Sequence, residues 1–115
     1  MKSKLTLLCV FTALFVTLCS CTEKITCKIT SPKDGADFSE YQSIPVSVEA
    51  SVNKGTITHV EILIDDSIRK IITEPPYDDM IAPKKLSPGK FHSIAARAYS
   101  SGGHLEGDAI YIMVN

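Results

Sequence analysis

The chain of 115 residues lacks three features that would assign it to large classes of proteins. It has no cluster of basic residues, and residues 22–115 hold 10 Lys and Arg against 13 Asp and Glu, a net charge of −3. Nucleic-acid binding needs a clustered positive footprint. The longest uncharged, mostly apolar run, residues 5–18, has 14 residues, whereas a transmembrane helix needs roughly 20. Outside that run no apolar series has the period of an amphipathic helix. The sequence therefore predicts no polynucleotide binding, no membrane-spanning helix and no helical bundle.

The N-terminal segment is typical of a secretory signal peptide. Lys2 and Lys4 precede the apolar run, and a small residue, Ser20, follows it. A positive start and an apolar stretch of about 7–15 residues define such a peptide, which is removed from the mature protein. We therefore expect residues 1–20 to be cleaved and to take no part in the fold. A buried N-terminal helix is the alternative.

The run ends in Leu18-Cys19-Ser20-Cys21, which resembles the lipobox of bacterial lipoproteins. The resemblance implies that the Cys21 thiol receives a diacylglycerol, and that a further acyl chain such as palmitate is attached to the new amine. Residues 21–24 then form a lipidated tether. Because each buried methylene contributes about 0.8 kcal/mol, two or three chains hold a protein on the membrane essentially permanently. An ordinary signal peptide cut near Ser20 is the competing prediction.

Four cysteines are present, but these assignments leave one of them in the fold. Cys9 and Cys19 leave with the signal peptide, and Cys21 carries the lipid. The remaining Cys27 has no partner for an internal disulfide, so the fold is not a cysteine-stapled one. We expect Cys27 to be a small buried hydrophobic residue or part of an edge strand.

Residues 25–115 repeat apolar side chains at every second position, which is the period of a strand with one buried face. Ile44, Val46 and Val48 share a face in this way. Turn residues, such as the pair Pro75-Pro76 and the glycine-rich segment 100–107, separate the alternating segments. The predicted strands are 25–29, 44–52, 57–64, 68–73, 77–81, 91–99 and 109–114. About seven short strands predict an all-β sandwich of antiparallel strands.

The segment from residue 29 to residue 115 resembles the bacterial Ig-like domains of secreted glycoside hydrolases and other surface proteins. The matching pieces are Ile29-Thr30-Ser31-Pro32 with Gly35, Val46-x-Val48-x-Ala50, Val60-Glu61-Ile62-Leu63-Ile64-Asp65, Pro76-Tyr77, Leu86-x-Pro88-Gly89-x-x-His92-x-Ile94-x-Ala96-x-Ala98 and Ile110-x-Ile112-x-Val114-Asn115. The resemblance implies that residues 25–115 form an immunoglobulin-like β-sandwich. It also implies a spacer or binding module, and it offers no catalytic residues to carry over.

Two departures from that pattern affect the expected structure. The turn Asp65-Asp66-Ser67 lacks the glycine of a tight hairpin, so we expect a longer or distorted hairpin there. The absence of tryptophan and of a cysteine pair excludes the disulfide-pinned core of antibody domains.

The polar residues predict no catalytic or metal site. His59, His92 and His104 have no second ligand at zinc-like spacing. We expect His59 to face solvent and His92 to point inward and hydrogen-bond a carbonyl group. The pairs Asp65-Asp66 and Asp78-Asp79 lack the spaced acidic series of a calcium loop, which favours solvated turn carboxylates. No serine lies in a nucleophile elbow. The sequence therefore predicts no enzyme, no cofactor and no metal.

A sugar-binding surface is the one ligand site that the residues indicate. Carbohydrate modules stack sugars on exposed aromatic rings, and the candidates are Tyr99, Tyr111 and Tyr77, with Tyr41 as a fourth tyrosine. Tyr99 and Tyr111 alternate with inward residues, so both belong on an outer face. If their strands are neighbours, the two rings and Met113 would form a small patch. Ordinary surface tyrosines or a subunit contact are the alternative.

The function expected from these observations is that of a membrane-anchored, non-catalytic module of the bacterial cell envelope. It would act in interaction, adhesion or scaffolding, with an envelope protein or a polysaccharide as partner. Thr22 follows Cys21 where an inner-membrane retention signal has Asp, which favours the outer membrane of a Gram-negative bacterium. One alternative is a carbohydrate-binding lipoprotein of a polysaccharide-uptake system. The other is a small protease inhibitor that uses the loops at 51–57 and 100–108.

Overall fold

The computed structural model describes residues 22–115. The predicted cleavage of residues 1–20 and lipidation of Cys21 lie outside the described residues. Residues 22–24 lead into the first strand, and the backbone N–H of Lys24 donates a hydrogen bond to Asn53 Oδ1 at 2.7 Å. Within residues 22–115 there is no helix of the length and hydropathy that a membrane span requires.

The strands form two sheets, as expected for a sandwich. They are β1 (Ile25–Ser31), β2 (Asp37–Phe38), β3 (Ile44–Val52), β4 (Ile57–Ile64), β5 (Ser67–Ile72), β6 (Tyr77–Ile81), β7 (Lys90–Ser100) and β8 (Leu105–Val114). The small sheet has the order β1-β3-β6, and the large sheet has the order β2-β8-β7-β4-β5. The prediction of an all-β sandwich is confirmed.

Two details of the strand prediction were wrong. The sequence did not reveal β2, a two-residue strand that pairs in parallel with β8, so the ladders are not all antiparallel. The last strand begins at Leu105 rather than at residue 109, because Gly107 is accommodated opposite Arg97 and does not break the ladder. Of the glycine-rich segment 100–107, only residues 101–104 lie between the strands, and the rest belongs to β7 and β8.

The β4–β5 hairpin is tight, which corrects the prediction of a longer connection. Asp65 and Asp66 have φ values of 49° and 68°, and β5 starts at the next residue. Two consecutive residues with positive φ form the turn that matches the twist of a hairpin. Aspartate tolerates this conformation better than most residues, so no glycine is needed. The expected distortion occurs earlier, as a bulge between Ile62 and Leu63.

The core fills the space between the two sheets with alternating aliphatic side chains. Val60, Ile62, Ile94 and Ile112 are fully buried, and β-branched residues of this kind pack well on a pleated sheet. The predicted inward faces of strands 44–52, 91–99 and 109–114 are confirmed. The core cluster consists of Ile29, Ile44, Val46, Val48, Val60, Ile62, Tyr77, Ile81, Ile94, Ala96, Ala98, Ile110, Ile112 and Val114.

Three connections share the end of the sandwich at which β1 begins: residues 53–56, 73–76 and 101–104. The first and last of these loops are tied together, since the N–H of Ser101 donates to the Thr56 carbonyl at 2.9 Å. Residues 53–56 belong to the loop at 51–57, and residues 101–104 belong to the loop at 100–108, which are the contact loops of the protease-inhibitor alternative. A tether before Ile25 emerges from this same end.

Candidate functional site

The outer face of the large sheet, the side turned away from the core, carries most of the exposed large hydrophobic side chains. Seven large hydrophobic side chains are strongly exposed in residues 22–115, and five of them lie on this face. They are Ile68, Ile71, Phe91, Leu105 and Tyr111, with exposed fractions between 52% and 63%. Large contiguous apolar patches on a soluble domain mark interaction surfaces, whereas single exposed hydrophobic residues do not. This face is therefore the main candidate site.

The strand pairing arranges the centre of this face in two rows. From β5 through β4 and β7 to β8, the first row consists of Ile71, Glu61, Arg97 and Gly107. In the same strand order, the second row consists of Ile68, Leu63, Ala95 and Ala109. In these two rows β5 thus carries isoleucines, and β8 carries only glycine and alanine.

The only charges in these two rows belong to an ion pair. Arg97 Nε lies 3.1 Å from Glu61 Oε1, and Glu61 is only 8% exposed. Both atoms are buried, and within residues 22–115 neither has a partner in hydrogen-bonding geometry. A buried charged group without a well-aligned hydrogen bond is costly. The face therefore has no net charge at its centre, and the poorly aligned ion pair there is largely shielded from water.

An aromatic stack adjoins the ion pair. The rings of Tyr99 and His59 lie 4.4 Å apart and nearly parallel, at 13°. A hydrogen bond to the Glu61 carboxylate raises the pKa of Tyr99, and partial burial adds to the shift. His59 was expected to face solvent. It does lie on the outer face, but it is half-buried by the stack.

The two tyrosines predicted to share a patch lie on neighbouring strands of this face but far apart along them. Tyr99 pairs with Leu105, and Tyr111 pairs with Ser93. Six residues along a strand span about 20 Å, so the rings cannot form one platform. Tyr111 shares its end of the face with Met113 and with Phe91, the residue opposite Met113, so the expected patch of both rings with Met113 does not form. A role for Tyr99 or Tyr111 in binding stays a prediction.

Tyr77, the third tyrosine candidate, belongs to the core and is 8% exposed. Tyr77 also lines a groove of about 550 Å³ on the outer side of the small sheet, here called the Pro-walled groove. The pair Pro75-Pro76 forms one side, and hydroxyl and carboxylate side chains line the rest: Thr26, Thr30, Ser47, Glu49, Ser51 and Asp78. Such a lining offers hydrogen bonds to a polar ligand.

His92 is a structural residue that joins two turns, which confirms the prediction that it points inward to a carbonyl. Its Nε2 lies 2.7 Å from the Ser87 carbonyl oxygen, and its Nδ1 lies 2.6 Å from Asp65 Oδ2. Burial alone would lower the pKa of His92, but the bonds to Asp65 and Ser87 outweigh it and raise the pKa. The same contacts outweigh desolvation at Asp65 and lower its pKa. Both partners of the ring are acceptors, so the geometry suits the doubly protonated imidazole.

The remaining candidates for chemistry occupy structural positions. Cys27 is half-buried, and burial followed by the charge of Asp108 raises its pKa to about 11, which disfavours the reactive thiolate. Asp79 accepts a hydrogen bond from Arg69 Nε at 2.7 Å. Within residues 22–115 no group of three or more His, Cys, Asp or Glu side chains is placed to hold a metal ion.

Sequence reasoning missed most of the outer face, including Leu63, Ile68, Ile71 and Phe91. The available signal was the run Ile62-Leu63-Ile64, because consecutive apolar residues in a strand place hydrophobic side chains on both faces. The strand prediction used only Ile62 and Ile64, the inward residues of that run, and gave no role to Leu63.

Comparison with known proteins places the fold among described modules. The pattern of a family described as "Bacterial Ig domain" matches residues 26–96. No curated protein matches the chain. A structure of fibronectin(III)-like modules of CbhA from Clostridium thermocellum is similar, with 26% identity, a TM-score of 0.70, and coverage of 82% of this chain and 48% of that one.

Two further solved structures are similar in fold alone. One is an engineered protein, with 13% identity, a TM-score of 0.58, and coverage of 80% of this chain and 20% of that one. The other is SGBP-B of a Bacteroides ovatus mixed-linkage glucan utilization locus, in complex with a mixed-linkage heptasaccharide. Its identity is 16%, its TM-score is 0.54, and the match covers 82% of this chain and 25% of that one. The chain spans half or less of the length of these solved chains.

Proposed function

This chain belongs to the bacterial Ig domain family, and on that premise we propose that it is a non-catalytic interaction module held on the bacterial cell envelope by a lipid on Cys21. The observation that carries the proposal is the apolar outer face of the large sheet. Residues such as Ile71 and Phe91 are more than half exposed there. Apolar area of this kind is stabilised when a second surface removes it from water.

The tether sets how the module would be presented. Only residues 22–24 separate Cys21 from β1, which is at most about 14 Å of extended chain. The end with residues 53–56, 73–76 and 101–104 would therefore lie near the bilayer. The strands of the large sheet would stand away from the membrane, and their outer face would be open to the side. Thr22 after Cys21 supports the outer membrane as the location.

The anchor is tested by metabolic labelling of the full chain with radioactive palmitate in a Gram-negative host. Wild type and the matched control Cys27→Ala should incorporate label and fractionate with the outer membrane. Cys21→Ala should do neither. Recovery of unlabelled wild-type protein from a soluble fraction would contradict the anchoring.

The interaction role is tested by detergent extraction of the same cells after chemical cross-linking. We expect the wild-type chain to be recovered in a stoichiometric complex that the substitution Phe91→Ser weakens. Phe91 is 63% exposed, so its loss should not unfold the module. The control Thr30→Ser, on the outer side of the small sheet, should leave the complex intact. Equal recovery with both variants would contradict a role for the outer face.

Glycan binding is a second candidate, supported by the polar lining of the Pro-walled groove. The fold it shares with SGBP-B, a protein solved with a bound heptasaccharide, is consistent with this function. Affinity electrophoresis in gels that contain mixed-linkage glucan or other polysaccharides tests it. Retardation that Ser51→Ala abolishes would support the groove, and retardation that Tyr111→Ala abolishes would support the aromatic face. Unretarded migration across a broad panel of glycans would exclude this candidate.

A further inference from the structure

We propose that the outer face of the large sheet binds the same face of a second copy of this chain. The two copies would stack face to face about a two-fold axis that runs parallel to the strands, between β4 and β7. This names the partner of the interaction module and therefore rests on the proposed function. The two rows of residues that cross the sheet are self-complementary about this axis.

Side-chain size is self-complementary under this axis. The rotation places β5 of one copy over β8 of the other and keeps each row on itself. Ile71 of one copy then lies over Gly107 of the other, and Ile68 lies over Ala109. Each of the two exposed isoleucines thus meets one of the smallest residues of the face. Two sheets that pack face to face interdigitate large and small side chains in this way.

Charge is self-complementary under the same axis. In the first row, Glu61 on β4 and Arg97 on β7 exchange places, so the exposed part of each Arg97 side chain lies over the Glu61 position of the other copy and not over a second arginine. Glu61 Oε1 and Arg97 Nε are two of the three buried side-chain atoms within residues 22–115 that lack a well-aligned hydrogen bond, the third being Glu23 Oε1, and their burial keeps both within the ion pair of their own copy. The axis therefore brings opposite charges, and no like charges, into register, and it removes both ion pairs from water. Arginine and carboxylate form strong, geometrically specific pairs when both are desolvated.

The size of the face fits a modest association. Four strands at a spacing of about 4.8 Å are about 19 Å wide, and the eight steps from Leu105 to Met113 extend about 26 Å. The footprint is therefore about 500 Å² per copy, or about 1,000 Å² in total, which is near the lower limit for a specific interface. We expect a dimer that forms at micromolar to submillimolar concentration, and tethering to a membrane would favour it by raising the local concentration.

The composition of the face favours a protein over a glycan as its occupant. The second row is entirely apolar, and the only hydrogen-bonding side chains of the first row are already an ion pair. A sugar-binding site needs several free polar groups that converge on the ligand. A second copy places opposite charges and apolar side chains at the corresponding positions, so it fits this face.

Site-directed disulfide formation tests the arrangement. The segment used is residues 22–115, which contains the eight described strands and the core cluster that they bury. In a Cys27→Ser background, Ile68→Cys and Ala109→Cys are introduced together. Within one copy these positions are three strand spacings apart, about 14 Å, and a disulfide cannot bridge more than about 7 Å between Cα atoms. Across the axis they face each other.

Oxidation of the double variant should give a covalent dimer on a non-reducing gel, and reduction should return it to the monomer. Each single variant is a matched control and should run as a monomer on the same gel. The axis keeps the two copies of Ala109 apart, and likewise the two copies of Ile68. Failure of the double variant to form a dimer would overturn the proposal. Equal dimerisation by a single variant would overturn the two-fold arrangement.

Sedimentation equilibrium gives an independent measurement without cysteine. Wild type should be partly dimeric at about 100 µM, and Ala109→Glu should weaken dimerisation by roughly tenfold or more because it adds a carboxylate to an apolar contact. Ala109 is exposed in one copy, so the variant should fold, and circular dichroism checks this. Met80→Glu adds the same charge to the small sheet, outside the Pro-walled groove, and should dimerise as wild type does. A strictly monomeric wild type overturns the inference. If such a protein still forms a Phe91-dependent complex in cells, the proposed function stands with a different partner.

Discussion

The contact between His92 and Asp65 makes the free energy of unfolding of the module depend on pH. The raised pKa of His92 means that the folded state binds its proton more tightly than the unfolded state does. This contribution is fully present below the unfolded pKa of about 6.5 and is lost as the pH rises through the folded pKa. Asp65 has a lowered pKa, so its contribution is present above about pH 4 and is lost as the pH falls through its folded pKa. The contact therefore stabilises most between about pH 4 and pH 6.5.

The magnitude follows from the burial of the two partners. His92 is 5% exposed, but the side chain of Asp65 is 50% exposed, so solvent screens part of the interaction. A hydrogen bond to a charged group contributes about 1.5–3 kcal/mol when buried. After this discount we expect the free energy of unfolding of wild type to fall by about 1 kcal/mol between pH 6 and pH 8.5.

Urea unfolding of residues 22–115 at several pH values measures this difference. In His92→Gln the fall between pH 6 and pH 8.5 should disappear, and stability should be lower than that of wild type throughout the acidic range. His59→Gln and His104→Gln are controls for the other two histidines and should retain the fall. A pH profile of His92→Gln that parallels wild type would refute the reasoning.

Further predictions concern the core, the hairpin and the thiol. Ile62→Ala removes a fully buried side chain and should lower the free energy of unfolding by about 2–5 kcal/mol in urea, and a loss below 1 kcal/mol would contradict the assigned core. At the positive φ of Asp66, Asp66→Gly should leave the unfolding midpoint unchanged or higher, whereas Asp66→Val should lower it, and the reverse order would contradict the turn geometry. Cys27 should react with a thiol reagent at about pH 8 much more slowly in the folded than in the unfolded domain, and equal rates would contradict its raised pKa.

The sequence was sufficient to predict the layered architecture, because burial repeats with period two in nearly every strand. It was also sufficient to place His92, since it shares the face of Ile94 and Ala96. The sequence-based prediction of a longer Asp65-Asp66 turn was wrong. Local composition does not show that His92, distant in sequence, contacts the Asp65 carboxylate. It did not reveal β2, whose two residues carry no detectable period.

The candidate surface could be predicted only in part, for a physical reason. Alternation tells which residues of one strand share a face, but not which residues of different strands lie side by side. Tyr99 and Tyr111 were correctly assigned to an outer face, and only the β7–β8 register shows that they lie far apart. The same register brings Leu63 beside Ala95 and Glu61 beside Arg97, contacts that join strands more than 30 residues apart in the chain.

The central claim is that the outer face of the large sheet contacts another protein on the cell envelope. Photo-crosslinking in intact cells tests it most directly, with a photoreactive phenylalanine derivative in place of Tyr111 in the full chain. A second variant carries the same group in place of Thr30, on the outer side of the small sheet. The account predicts a discrete cross-linked product from the position of Tyr111 and none from that of Thr30. No product from the first position, or the same product from both, would contradict it.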